Sequence, residues 1–150
     1  VVARLDTIPG VGVTTANVII AEVGLDMTRF PTAAQLASWA KFAPTVQESA
    51  GKKNGKNATG HGNAYLAGAV GEAAISAGKT DTFLGERYRR IARRRGKQKA
   101  IVAVGRSILV IVWHLLSDFY DIRGGPQRAI RNRVRHLEAL GYKVTLQPAA

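Results

Sequence analysis

The stretch that decides the fold is Leu5-Asp6-Thr7-Ile8-Pro9-Gly10-Val11-Gly12-Val13-Thr14-Thr15-Ala16, near the start of a 150-residue chain. Leu5, Ile8, Val11, Ala16 and then Ile19 sit where two helices joined by a tight turn would lock together. Pro9 fixes a backbone angle, while Gly10 and Gly12 permit a sharp turn and an approach that a Cβ would block. Residues 1–6 read as the end of a helix. Thr14 or Thr15 can cap the next one, which runs to about Val23 and stops at Gly24.

This pattern resembles the helix-hairpin-helix motif, in which amides at the start of the second helix and its dipole face a phosphate. Gly10, Val11, Gly12 and Thr14 are therefore candidate DNA-binding residues. Such contacts go to the nucleic-acid backbone and carry no sequence information. DNA glycosylases also carry a Pro-Gly-Val-Gly turn. The lyase-type members place a lysine just after it, where this chain has Val13, Thr14 and Thr15. Their catalytic aspartate lies in a Val-Asp-Thr context that is missing here, since Met27 follows Asp26.

Charge supports a polyanionic partner. Twenty-two Lys and Arg against ten Asp and Glu leave a formal net charge of +12, which favours nucleic acid or an anionic membrane surface. The apolar run at residues 108–116 contains His114, is bounded by Arg106 and Asp118, and falls far short of the ~20 residues of a membrane span. No membrane partner is expected. With no cysteine, disulfides, a Cys-type zinc site and an iron–sulfur cluster are excluded. No basic and apolar leader follows Val1, and a cytoplasmic, nucleoid-associated location is expected. His61, His114 and His136 lack metal-ligand spacing, so no metal site is expected in this chain. The Gly-rich loop has no Gly-Lys-Ser/Thr ending, which leaves nucleotide hydrolysis unsupported.

Further along, Thr32 reads as an N-cap for a short helix to about Phe42, ended by Pro44. Residues 45–62 lose all periodicity and form a long Gly/Lys-rich loop containing Ser49, Lys52, Lys53 and Lys56. Asn63 caps a helix over residues 64–77, and another runs from about Thr82 to Arg95, ending at Gly96. The next, from Lys97 to about Ser117, is β-branched at residues 108–112. A strand is conceivable there, but length favours a buried helix. Gly124-Gly125-Pro126 reads as a hinge to a last helix with Ile130, Val134 and Leu137 in phase, and residues 144–146 as a short extended tail. The fold class is mainly α. A domain over residues 1–122 and a basic helical extension over 123–150 are the expected divisions. Trp39, Trp113 and Phe83 are expected in the core.

Residues 79–99 hold nine Lys or Arg against Asp81 and Glu86. Arg87, Arg90 and Arg94 share one helical face and are candidate phosphate contacts, with DNA and RNA indistinguishable on this ground.

A longer series stands in one order. Ile8-Pro9-Gly10-Val11-Gly12 is followed by Arg29-Phe30-Pro31-Thr32-Ala33-Ala34-Gln35-Leu36-Ala37, Ala43-Pro44, Glu48-Ser49-Ala50-Gly51-Lys52 and Gly62-Asn63-x-x-Leu66. Residues 80–90, Val102-Ala103-Val104-Gly105-Arg106-Ser107-Ile108-Leu109 and Leu137-Glu138-Ala139-Leu140-Gly141-Tyr142 continue it. The series resembles the C-terminal transposase domain of the IS-one-ten (DEDD-type) insertion-sequence transposases. It departs from that pattern at Gly60 and Ala67, where basic residues are common, and at Lys41-Phe42, where Gly-Leu is more usual. The resemblance implies site-specific DNA transposition by a two-domain recombinase. It assigns Ser49 as a catalytic nucleophile transiently linked to DNA, beside Lys52, Lys53 and Lys56 as DNA contacts. It also implies Mg²⁺ held by a RuvC-like N-terminal domain absent from this chain, a structured guide RNA, and a homo-oligomer of the full-length protein. The fragment alone is expected to be inactive. A non-catalytic helix-hairpin-helix DNA-binding module remains the alternative.

Overall fold

The computed structural model describes residues 1–43, 48–49, 52–53, 63–123 and 125–147. In chain order the elements are α1 (Val2–Leu5), α2 (Val13–Val23), a 3-10 turn (Met27–Arg29), α3 (Ala33–Trp39), β1 (Glu48–Ser49), β2 (Lys52–Lys53), α4 (Ala64–Ala77), α5 (Phe83–Arg95), α6 (Lys97–Arg123) and α7 (Gly125–Ala139). The mainly helical class is as expected from the sequence.

The fold is organised around α6. It packs against α1, the 3-10 turn, α3, α4, α5 and α7, burying Ala100, Val104, Ile108, Leu109, Val112 and Leu116. Its β-branched run is helical because burial on several sides outweighs the small propensity cost of β-branching. By length and composition α6 could also cross a membrane, yet here it is the core helix. It continues past the expected end at Ser117 to Arg123, since residues 118–123 contain neither glycine nor proline to stop it.

Local signals set most of the other boundaries. Thr32 and Gln35 form a reciprocal capping box at α3, with Gln35 N donating to Thr32 Oγ1 at 3.3 Å and Thr32 N to Gln35 Oε1 at 3.1 Å. Asn63 Oδ1 accepts from the amides of Tyr65 and Leu66 at 3.0 and 3.1 Å, and Thr82 Oγ1 from that of Gly85 at 3.3 Å. α3 stops at Trp39 rather than Phe42, because Lys41 turns left-handed (φ 62°) and Phe42 N donates back to Ala37 O at 2.9 Å. Phe42 then swings into the core. Residues 144–146 form no strand.

Three expectations for aromatic residues divide. Trp113 is half-buried, and its Nε1 donates to Phe30 O at 2.7 Å. Trp39 is 37% exposed, with its ring 5.2 Å from that of Phe30. Phe83 is 72% exposed and is not a core residue. The Thr82 cap fixes the phase of α5 so that Leu84 faces inward and Phe83 outward.

Candidate nucleic-acid interface

The turn between α1 and α2 is built from apolar anchors. Leu5, Ile8, Val11, Ala16 and Ile19 are all buried. The cap of α2 differs from expectation: Gly12, not Thr14 or Thr15, is the N-cap residue, in extended conformation and with no side-chain cap. The first turn of α2 carries no acid. The amides of Gly12, Val13, Thr14 and Thr15 have no acceptor among the described residues. Val13 is 56% exposed, and Gly12 and Thr14 are exposed beside it. These are free donors at the positive end of an uncapped helix.

The two glycines of the turn do different work. Gly10 adopts φ +87°, and a Cβ there would stand 2.2 Å from Ala73 O and 2.6 Å from Ala77 N on α4. Its missing side chain therefore lets the turn seat on α4. Gly12 has nothing within 4 Å of the equivalent position, so its surface is open. Val11 is buried and its amide already donates to Ile8 O at 2.9 Å, which leaves it an anchor for the turn.

The same end of α4 holds α5. A Cβ on Gly85 would lie 2.1 Å from Thr80 O and 2.6 Å from Ala77 O, so α5 starts in close backbone contact with Ala77. Thr80 Oγ1 donates to Ala77 O at 2.7 Å, and Arg89 Nη1 donates to Gly78 O and Thr80 O at 3.1 and 2.9 Å. Arg89 is thus a brace for the α4–α5 turn. At the other end of α4, the Asn63 amide donates to the Glu22 carboxylate of α2. Ala77 is the point where the glycine turn and the arginine helix meet.

On α5, Arg90 and Arg94 are exposed, while Arg87 is half-buried with its Nε covered and without a hydrogen-bond partner among the described residues. On the other side of α5, a shallow cavity of about 560 Å³ is lined by Lys79, Arg89, Arg93 and Lys97 around Tyr88 and Ile101. No acid lines it. A larger cavity, about 680 Å³, lies between α3, α6 and α7 and includes Asp118 and Asp121 with Trp113 and Arg133. Its two carboxylates are balanced by Arg133 and Arg135, and Arg133 pairs with both of them.

Ser49 and Lys52 are register partners in the β1–β2 hairpin, with Glu48 opposite Lys53. The segment expected to be loop throughout thus contains a short antiparallel pair. Lys56 and most of the Gly/Lys-rich stretch lie outside the described residues. Among the described residues no group of three or more His, Cys, Asp or Glu could hold a metal ion. Sequence reasoning missed Phe83, Gly85 and the Glu22–Asn63 bond.

The fold and its surface define a basic helical module with free helix amides and an arginine face, both held on one helix end. The chain matches the transposase IS116/IS110/IS902 family over residues 2–89 and belongs to that family. An insertion element IS110 uncharacterized 43.6 kDa protein from Streptomyces coelicolor is 38% identical over 123 residues, which is 79% of this chain. The chain spans 30% of that protein's length. No solved structure matches.

Proposed function

We propose that the chain is the DNA-gripping and strand-transfer portion of a longer transposase that moves an insertion sequence by site-specific DNA strand exchange. The reading rests on one observation above the others. A hydroxyl residue, Ser49, pairs in register with a lysine, Lys52, in a segment rich in further lysines. A serine hydroxyl is a weak nucleophile until a base or metal assists it, and cations beside the phosphate stabilise the charge of the transition state.

In the reaction Ser49 Oγ loses its proton and attacks the scissile phosphorus. A phosphoserine ester forms as the bond from phosphorus to the departing deoxyribose oxygen breaks, and that oxygen takes up a proton. The hydroxyl of the incoming strand then attacks the same phosphorus, Ser49 leaves, and one phosphodiester has been exchanged for another. Lys52, Lys53 and Lys56 hold the phosphate oxygens. The amides of Gly12, Val13 and Thr14 and the guanidinium groups of Arg87, Arg90 and Arg94 grip the backbone on either side. A RuvC-like domain in the longer protein would contribute the Mg²⁺ site, a structured RNA from the element would pair with donor and target DNA, and the full-length protein would work as a homo-oligomer.

The test uses full-length protein and a nicked DNA substrate that traps covalent intermediates. The expected result is a protein–DNA adduct that disappears in Ser49→Ala while duplex affinity is kept. An adduct of wild-type yield in Ser49→Ala would remove Ser49 from the chemistry. No adduct with the wild-type enzyme, together with intact duplex affinity, would favour a non-catalytic DNA-binding module.

A further inference from the structure

Phe83 is the first residue of α5 and 72% exposed, although its neighbour Leu84 is buried. Single exposed apolar residues are ordinary on protein surfaces. This one is set apart by its alignment. At about 100° per residue, Phe83 lies within roughly 40° of Arg87, Arg90 and Arg94 around the helix. The stripe runs eleven residues, about 16.5 Å along the axis, with an aromatic ring at its start and three guanidinium groups after it. A folded apolar partner docking on this stripe would have to desolvate all three charges. A nucleic-acid strand answers both features, because its phosphates pair with arginine and its bases carry a π-face. In duplex DNA the π-faces are consumed by stacking, so only an unpaired strand offers one to the ring.

We propose that Phe83 is a stacking platform for an unpaired DNA base, on a strand whose phosphates run along Arg87, Arg90 and Arg94. The inference rests on the strand-exchange reading above, which supplies the unpaired DNA, and it assigns α5 to the opened strand. Phe83 takes the base, while the arginines pair with phosphates, those of the opened strand during exchange and those of either DNA form offered alone.

The experiment is fluorescence anisotropy with the 150-residue chain and a fluorescein-labelled 20-mer of mixed sequence, offered as single-stranded DNA, as duplex DNA and as single-stranded RNA. Phe83→Ala is expected to weaken single-stranded DNA binding about tenfold and to change duplex affinity less than twofold. Phe83→Trp keeps single-strand affinity, and its added emission over Trp39 and Trp113 is quenched by single-stranded DNA. The variant with Arg87→Ala, Arg90→Ala and Arg94→Ala weakens binding of both DNA forms. Phe83, Arg90 and Arg94 are exposed and Arg87 is half-buried, and unchanged far-UV circular dichroism confirms folding of each variant. Equal loss of single-strand and duplex affinity in Phe83→Ala, or no loss at all, overturns the stacking proposal alone. So does a Phe83 dependence seen with RNA and not with DNA. Wild-type affinity for both DNA forms in the arginine variant overturns the phosphate path and the proposal with it.

Discussion

Replacing Gly10 with alanine tests the packing of the glycine turn on α4, because Gly10 sits closest to the α4 backbone. Two costs add. At φ +87° an L residue is strained by about 1–2 kcal/mol. The new methyl would also stand 2.2 Å from Ala73 O and 2.6 Å from Ala77 N, both backbone atoms that cannot rotate away. Forcing α4 aside costs about 1–3 kcal/mol, the usual range for overpacking. Alanine's lower unfolded-state entropy returns about 0.5–1 kcal/mol. The net is a loss of about 3 kcal/mol, a large share of the 5–15 kcal/mol that typically holds a domain, and for a chain of this size it lowers Tm by roughly 6–12 °C. Gly12→Ala is the control, since nothing lies within 4 Å and φ is −95°. Its stability should stay within about 0.5 kcal/mol of wild type. Urea titration followed by circular dichroism at the helical band reads both variants. A Gly10→Ala loss below about 1 kcal/mol would mean the turn does not seat on α4 as described.

Other outcomes follow from the same geometry. Lys41→Gly should stabilise the chain by about 0.5–1 kcal/mol, because it relieves the left-handed strain at φ 62° against a smaller entropy loss; a destabilised variant in thermal melts counts against that strain. Gly105→Ala should gain about 1 kcal/mol of helix propensity and lose more, since its Cβ would meet the buried Phe42 ring at 2.4 Å and Val70 Cγ1 at 3.1 Å. A rise in Tm would refute that contact. The Arg87→Ala, Arg90→Ala, Arg94→Ala variant should flatten the slope of log K against log salt for duplex DNA by about 2.7, at about 0.9 per phosphate contact. A slope unchanged between 50 and 200 mM salt leaves those arginines without a phosphate role. Gly12→Val should weaken duplex binding while keeping helical circular dichroism, and undiminished affinity would exclude the open glycine as a phosphate seat.

Much of the fold is legible because its causes are local. Thr32, Asn63 and Thr82 announce helix starts through hydroxyl and amide oxygens that accept the orphan amides, and Gly24 and Gly96 end helices at φ of 78° and 90°, a conformation that favours glycine. The five apolar residues of the glycine turn are buried as their spacing requires. The start of α2 misleads for a physical reason. Thr14 and Thr15 have the chemistry of a cap, whereas the real N-cap, Gly12, has no side chain to advertise it. Phe83 misleads because residue type reports hydrophobicity and not phase. Only the Thr82 cap, together with buried Leu84, sets which side of α5 it occupies.

What the sequence could not carry is the meeting at Ala77, since no periodicity links Gly10 to a helix end 67 positions later. That contact bears directly on function. The turn that aims the α2 amides and the glycine that seats α5 both close on the backbone of Ala77, one at its nitrogen and the other at its carbonyl oxygen. The two cationic surfaces therefore share one mechanical support. Packing at this density transmits a displacement and does not absorb it, so a methyl at Gly10 shifts the free amides of α2 relative to the arginine stripe without touching either. A surviving folded fraction of Gly10→Ala should consequently grip DNA less well than wild type, and binding measured per folded molecule separates this effect from the loss of stability. If that corrected affinity equals wild type, the amides and the arginines act as independent contacts and Ala77 is only a place where helices touch.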